Sequence, residues 1–140
     1  MQFIVEDRAT VEDGIAISVP YIVISIHDPG RYPPHVPRTA GLRGVLTLAF
    51  HDAEPCTSLE LPSVIKLMTE ADAERIWQFV QEHRDAIGAI VCHCEQGMSR
   101  SPAVAAALAE ALGEDPAPIT RWAQPNQHVY ELLKRTIARS

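Results

Sequence analysis

Residues 89–112 restrict this chain to a narrow range of folds. An apolar run, Ala89-Ile90-Val91, leads into His93-Cys94-Glu95-Gln96-Gly97-Met98-Ser99-Arg100-Ser101 and then directly into the alanine-rich stretch Ala103–Leu112. The pattern predicts a buried strand, a short loop and a helix packed close to the sheet, because alanines let a helix approach. A thiol then sits where the strand ends, and an arginine sits where the helix begins. Five residues separate Cys94 from Arg100, enough to curl a loop whose N–H groups point at one centre. The mouth of the helix adds free N–H groups and a partial positive charge. The combination reads as an anion site with a nucleophile at its floor.

The rest of the chain fits one α/β domain over residues 1–140, with no linker. Gln2–Val5 and the apolar, β-branched run 20–26 read as strands, as does 44–50, which ends in His51-Asp52. Arg8–Asp13 reads as a short helix. Residues 28–43, rich in Pro and Gly, read as a loop, and 53–68 as irregular. The short PPHVP string at 33–37 is taken as surface loop rather than a polyproline ligand. Thr69 with Asp72 fits a capping pair for a helix that buries Ala73, Ile76, Trp77 and Val80. Trp77 and Phe79 are read as packing residues. Pro102 suits a first helical turn, Gly113 a stop, and Asp115-Pro116 a turn before a short helical piece. A last helix is predicted over 127–138. Alternating strands and helices predict a central, mostly parallel sheet flanked by helices, covered on both faces, with ligands beyond the carboxyl ends of the strands. Asp52 and Cys94 both follow such ends.

Composition removes several classes of function. A formal charge of −6 and a pI near 5.4 oppose a nucleic-acid surface. No apolar run has the length of a membrane span, and the N-terminus lacks a basic-then-apolar signal, so a cytoplasmic location is expected. Three cysteines, Cys56, Cys92 and Cys94, do not suggest a disulfide scaffold. Cys92-His93-Cys94 lacks the two-residue gap and the second ligand pair of a zinc site, so neither a metal nor another cofactor is expected. Cys92 and Cys94 are expected to project to opposite sides of the sheet, which disfavours a bridge between them.

The loop surroundings favour a reactive cysteine over inert packing. A helix N-terminus, inward N–H groups and a nearby guanidinium all stabilise a thiolate. Arg100 offers a planar fork for two phosphoryl oxygens. Gly97 allows the unusual backbone angles of a curled loop, and Ser101 can hydrogen-bond the sulfur. HCEQGMSRS resembles the His-Cys-x5-Arg-Ser/Thr signature of the cysteine-dependent tyrosine and dual-specificity phosphatases. The strand ending in His51-Asp52 resembles the element that carries that family's general-acid aspartate. The segment PNQHVYELL at 125–133 resembles its Pro-Asn-led C-terminal helix.

The resemblance implies a two-step reaction. Cys94 attacks phosphorus to form a phosphocysteine. Arg100 and the loop amides of Glu95, Gln96, Gly97, Met98, Ser99 and Arg100 hold the phosphoryl oxygens. Asp52 protonates the departing oxygen and then serves as base for water. Ser101 eases release of the sulfur, and His93 sets the cysteine's surroundings by hydrogen bonding to loop backbone. Asp52 precedes Cys94 by 42 positions, with Glu54 two residues on as an alternative acid.

The loop side chains carry no lysine, and Glu95 at the mouth disfavours a polyanion unless it turns to solvent. The expected substrate is therefore a phosphoprotein, phosphotyrosine first, with phosphoserine or phosphothreonine also admitted by a shallow site. A non-protein phosphate ester, and a module that binds phosphate esters without turning them over, remain as alternatives. Five residues between Cys and Arg oppose the shorter sulfur-transfer loop. A loop beginning at position 93 opposes the phosphatases and arsenate reductases that carry theirs near the N-terminus. Cys56 and Cys92 raise the question of a redox partner for Cys94, with an incidental Cys56 and a core Cys92 as the preferred reading.

Overall fold

A computed structural model describes residues 1–55 and 62–140. The chain runs β1 (Gln2–Glu6), α1 (Arg8–Asp13), β2 (Tyr21–His27), β3 (Leu42–Ala49), α2 (Glu70–His83), a 3-10 turn, β4 (Ala89–His93), α3 (Arg100–Ala111), α4 (Ala117–Thr120) and α5 (Gln127–Arg139). The four strands are all parallel, in the order β1-β4-β2-β3. Central strands β2 and β4 are buried at every position, whereas edge strand β3 alternates between half-buried and exposed over most of its length. That contrast explains the continuous apolar runs in the centre of the sheet.

One sheet face packs against α2, α3 and α5 through Ile22, Ile24, Ile26, Ile90, Cys92 and the buried alanines of α3. Thr69 and Asp72 form the expected reciprocal capping box at the start of α2, and Ala73, Ile76, Trp77 and Val80 are its buried residues along with Asp72. The other face differs from expectation in its cover. It offers a small cluster, Tyr21, Val23, Ala89 and Val91, which packs against Ile15, Ile17, Val19 and Val36 from irregular segments. Parallel neighbours β2 and β3 need a crossover, usually helical. Here the Pro-rich stretch 28–41 makes it, and Val36 and its neighbours cover a patch too small to require a full helix.

Cys92 and Cys94 belong to the same core cluster, which corrects the expectation of opposite sides. Residues two apart on a strand share a face, so it is His93 between them that turns to the far side, where its Nε2 meets Ser25 Oγ at 2.8 Å. Both cysteines are free thiols. Burial pushes the Cys92 thiol far above its ordinary value, consistent with a core residue. Cys56 lies outside the described residues.

Parallel strands bring all four carboxyl ends to one edge. Glu6 of β1 is in register with His93 of β4, which is in register with Ser25 of β2. The residues that follow the strands therefore collect above one end of the sheet.

Candidate active site

The loop after β4 folds back over its own cysteine. Cys94 is 2% exposed; its Sγ lies 3.1 Å from Ser101 Oγ and accepts the Gly97 N–H at 3.2 Å. Gly97 has φ +72°, and a Cβ there would lie 2.9 Å from the Glu6 carbonyl oxygen and 3.1 Å from the Asp7 nitrogen. Both the backbone angle and the close approach of β1 demand glycine.

Arg100 opens α3 and is nearly buried. Its Nη1 donates to Asp28 Oδ1 and to the Phe50 carbonyl, each at 2.7 Å. Its Nε is buried and has no partner among the described residues. An unpaired buried guanidinium N–H is costly, so this donor marks where an acceptor belongs. Ser99, at the helix N-cap, makes no side-chain cap bond. Its hydroxyl instead donates to Asp52 Oδ1 at 2.8 Å, so it does not cap the first-turn N–H groups of α3.

Asp52 follows β3 by three residues and is held from two sides, by Ser99 and by Asn126 Nδ2 at 2.9 Å. Asn126 is 4% exposed and uses its whole amide: Nδ2 also donates to the Ala53 carbonyl, and Oδ1 caps α5 by accepting the Val129 N–H. Glu54, the alternative acid, accepts the Gln127 N–H at 2.6 Å. It thus sits at the start of α5 and not in the cleft above Cys94.

That cleft has a volume of about 410 Å³. It is lined by Cys94, Glu95, Gln96, Met98, Ser99 and Arg100 from the loop and the start of α3, and by Asp28, His51, Asp52, Ala53 and Ile65 from the segments after β2 and β3. Glu95 does not point freely to solvent. Arg8 Nη1 donates to its Oε1 at 3.1 Å, Arg31 pairs with Oε2, and its side chain is 10% exposed. The Arg8 N–H also bonds the Glu95 carbonyl at 3.2 Å, and Arg8 Nη2 holds the Tyr32 carbonyl at 2.7 Å. The charge placed at the mouth by the sequence is thus neutralised by two guanidinium groups (from α1 and from the 28–41 crossover). The observed His93 hydrogen bond runs to Ser25, on the neighbouring strand, where loop backbone was expected. Burial, joined by the charge of Arg8, holds the His93 imidazole below its ordinary pKa against the opposing pull of Glu95 and Glu12.

The structure therefore brings Cys94, Arg100, Ser101 and Asp52 together with every loop residue from Glu95 to Ser99. It adds Asp28, Arg8 and Arg31, to which the sequence assigned no role, and it gives Asn126, the Asn of the 125–133 segment, a contact with Asp52. Asp28 had a usable signal: it is the first residue beyond β2, the same kind of position that marked Cys94. Arg8 and Arg31 act through pairs with Glu95 over 87 and 64 residues, which no local pattern marks.

No family model and no curated protein sequence matches the chain. Solved structures do. Human DUSP28 superposes with a TM-score of 0.61 at 18% identity, over 98% of this chain and 92% of its own. The human tyrosine phosphatase-like serine/threonine/tyrosine-interacting protein gives 0.55 at 17% identity, over 86% and 78%. PTPMT1, in complex with PI(5)P, gives 0.52 at 18%, also over 86% and 78%. The chain has the dual-specificity phosphatase fold. At these identities the likeness concerns the backbone, and the HCEQGMSRS loop lies on that fold between β4 and α3.

Proposed function

We propose that this chain is a cysteine-dependent phosphatase that hydrolyses phosphate monoesters on proteins, phosphotyrosine first, through a phosphocysteine intermediate. The observation that carries the reading is that Cys94 and Arg100, whose buried Nε has no partner among the described residues, line one cleft. A thiol and a buried guanidinium N–H lie together where the N-terminus of α3 offers further N–H groups.

In the first step the Cys94 thiolate attacks phosphorus and forms the S–P bond as the ester P–O bond breaks. Asp52, poised over the cleft by Ser99 and Asn126, delivers its proton to the departing oxygen. Arg100 and the loop amides hold the equatorial oxygens and the charge that develops on them. In the second step Asp52 takes a proton from water as it attacks phosphorus. Inorganic phosphate is released, and the sulfur leaves as a thiolate accepting from Ser101. The chemistry fits any accessible monoester. A phosphoprotein is favoured because the loop supplies no lysine and Glu95 is already matched by Arg8 and Arg31, which leaves Arg100 as the cation lining the cleft. No helix among the described residues is long and apolar enough to cross a membrane, and action on cytoplasmic phosphoproteins is the corresponding proposal.

The test compares wild type with Cys94→Ser on an aryl phosphate, a phosphotyrosine peptide, a phosphoserine peptide and phosphatidylinositol 5-phosphate in vesicles. Turnover that depends on Cys94 and is fastest on the phosphotyrosine peptide is expected. Phosphate-ester binding without Cys94-dependent turnover would make the chain a binding module. Preference for the vesicles would transfer it to lipid substrates, as befits its likeness to a protein solved with PI(5)P.

A further inference from the structure

We infer that Asp28 is the positioning residue for Arg100, an inference that rests on the phosphatase reading. Asp28 lies at the first position beyond β2, the strand hydrogen-bonded to β4, so it stands beside the phosphate loop. Its Oδ1 and the Phe50 carbonyl both accept from Arg100 Nη1 at 2.7 Å. Phe50 is the residue immediately beyond β3. Two consecutive strand ends therefore grip one nitrogen of the guanidinium from outside the loop that carries it.

A guanidinium presents its donors in a rigid planar fork. Fixing Nη1 fixes the plane, and with it the direction of the side-on edge that carries Nε. On that edge Nε is buried and has no partner among the described residues. The arrangement distinguishes a positioning contact from an inhibitory one. A carboxylate that mimicked the substrate would occupy the Nε side; Asp28 occupies the opposite corner and need not leave when a phosphoryl group arrives. It also gives the buried Arg100 a charged partner, which a buried guanidinium requires. Asp28 itself is part-exposed, with its side chain 37% accessible, and lines the cleft. A second cleft aspartate also makes it a competing candidate for the general acid, which the experiment separates.

Asp28→Ala and Asp28→Asn are compared with wild type in tungstate binding by calorimetry, in steady-state turnover of aryl phosphates with graded leaving groups, and in thermal melting. Tungstate binding to Asp28→Ala is expected to weaken roughly tenfold or more, the scale of a misaligned charge-assisted hydrogen bond. kcat/KM is expected to fall by a similar factor for every leaving group. Asp28→Asn keeps an acceptor oxygen and is expected to fall between the two; it also serves if the alanine variant does not fold. Tungstate affinity within twofold of wild type in both variants overturns the inference. So does a gain in affinity or turnover, which would make Asp28 an inhibitory latch. A loss that steepens with leaving-group basicity would assign Asp28 as the acid. If wild type binds tungstate but turns over no aryl phosphate, the phosphatase reading fails while the binding measurements still decide the contact.

Discussion

Replacing Gly97 with alanine, beside the same change at Gly113, separates two costs that the Cys94 loop combines. Both glycines have positive φ, +72° and +79°. Around Gly113 nothing lies within 4 Å of the added methyl, so Gly113→Ala meets only the left-handed backbone penalty. That penalty is roughly 1–2 kcal/mol, partly offset by about 0.4–1 kcal/mol from a less flexible unfolded chain. A net loss of about 1 kcal/mol is expected. Gly97→Ala meets the same penalty and also places a methyl 2.9 Å from the Glu6 carbonyl oxygen and 3.0 Å from its carbon. Those are backbone atoms of a paired strand, which cannot swing aside like a side chain. Crowding of this kind costs about 1–3 kcal/mol, bringing the total to about 2–4 kcal/mol. For a domain of this size that corresponds to a fall in Tm of roughly 6–15 °C, against roughly 3–5 °C for Gly113→Ala. Urea melts measure the two free energies directly. The Gly97 N–H donates to Cys94 Sγ at 3.2 Å, so tungstate affinity should drop in Gly97→Ala and hold in Gly113→Ala. Equal destabilisation by the two substitutions would refute the claim that β1 presses on the loop.

Asp52→Asn should cut turnover strongly for esters with poor leaving groups and little for those with good ones; a flat dependence across a series of aryl phosphates would remove Asp52 as the acid. Asn126→Ala removes a helix cap and two donors to the 52–53 segment. It should destabilise by about 2–4 kcal/mol in chemical denaturation, and its activity should shift toward good leaving groups as Asp52 loses one of its holders. His93 contributes a pH dependence whose sign follows from its burial. Its native pKa lies below the unfolded value of about 6.5, so on acidification the unfolded chain takes up the proton first. Stability is then fully present above about pH 7 and declines as pH falls through the unfolded value toward the native one. His93→Gln should show a shallower decline in urea melts between pH 7 and pH 5, and an unchanged slope would sink the assignment.

Local pattern disclosed those parts of the molecule that local physics determines. The capping box of Thr69 and Asp72, the buried face of α2 and the strand–loop–helix unit around Cys94 depend on residues near one another in sequence. Asp52 was legible because strand ends collect at one edge of a parallel sheet, and Asp28 satisfied the same rule. Partnerships were not legible. Glu95 reads as a bare charge until Arg8 and Arg31 arrive from 87 and 64 residues away. Glu54 looks interchangeable with Asp52 until the start of α5 claims its carboxylate. The cover of the smaller sheet face is similar: Ile15, Ile17, Val19 and Val36 have no helical period, because extended chain suffices for a four-residue patch. The placement of the two cysteines was a matter of strand parity, and the structure puts both in the same core cluster.

The contact of β1 with the Cys94 loop also has a bearing on when the cleft comes into being. In the sheet order β1-β4-β2-β3, the first strand has a single neighbour, β4. On the ribosome, residues 2–6 therefore emerge early yet have no strand to pair with until residue 93 has been made. Arg8 likewise waits for Glu95. Cys94 and the backbone that walls its loop thus reach their places in one late, long-range closure, of the kind that slows folding. A chain lacking only its first eight residues would keep every residue assigned to the chemistry and still lack a wall of the site.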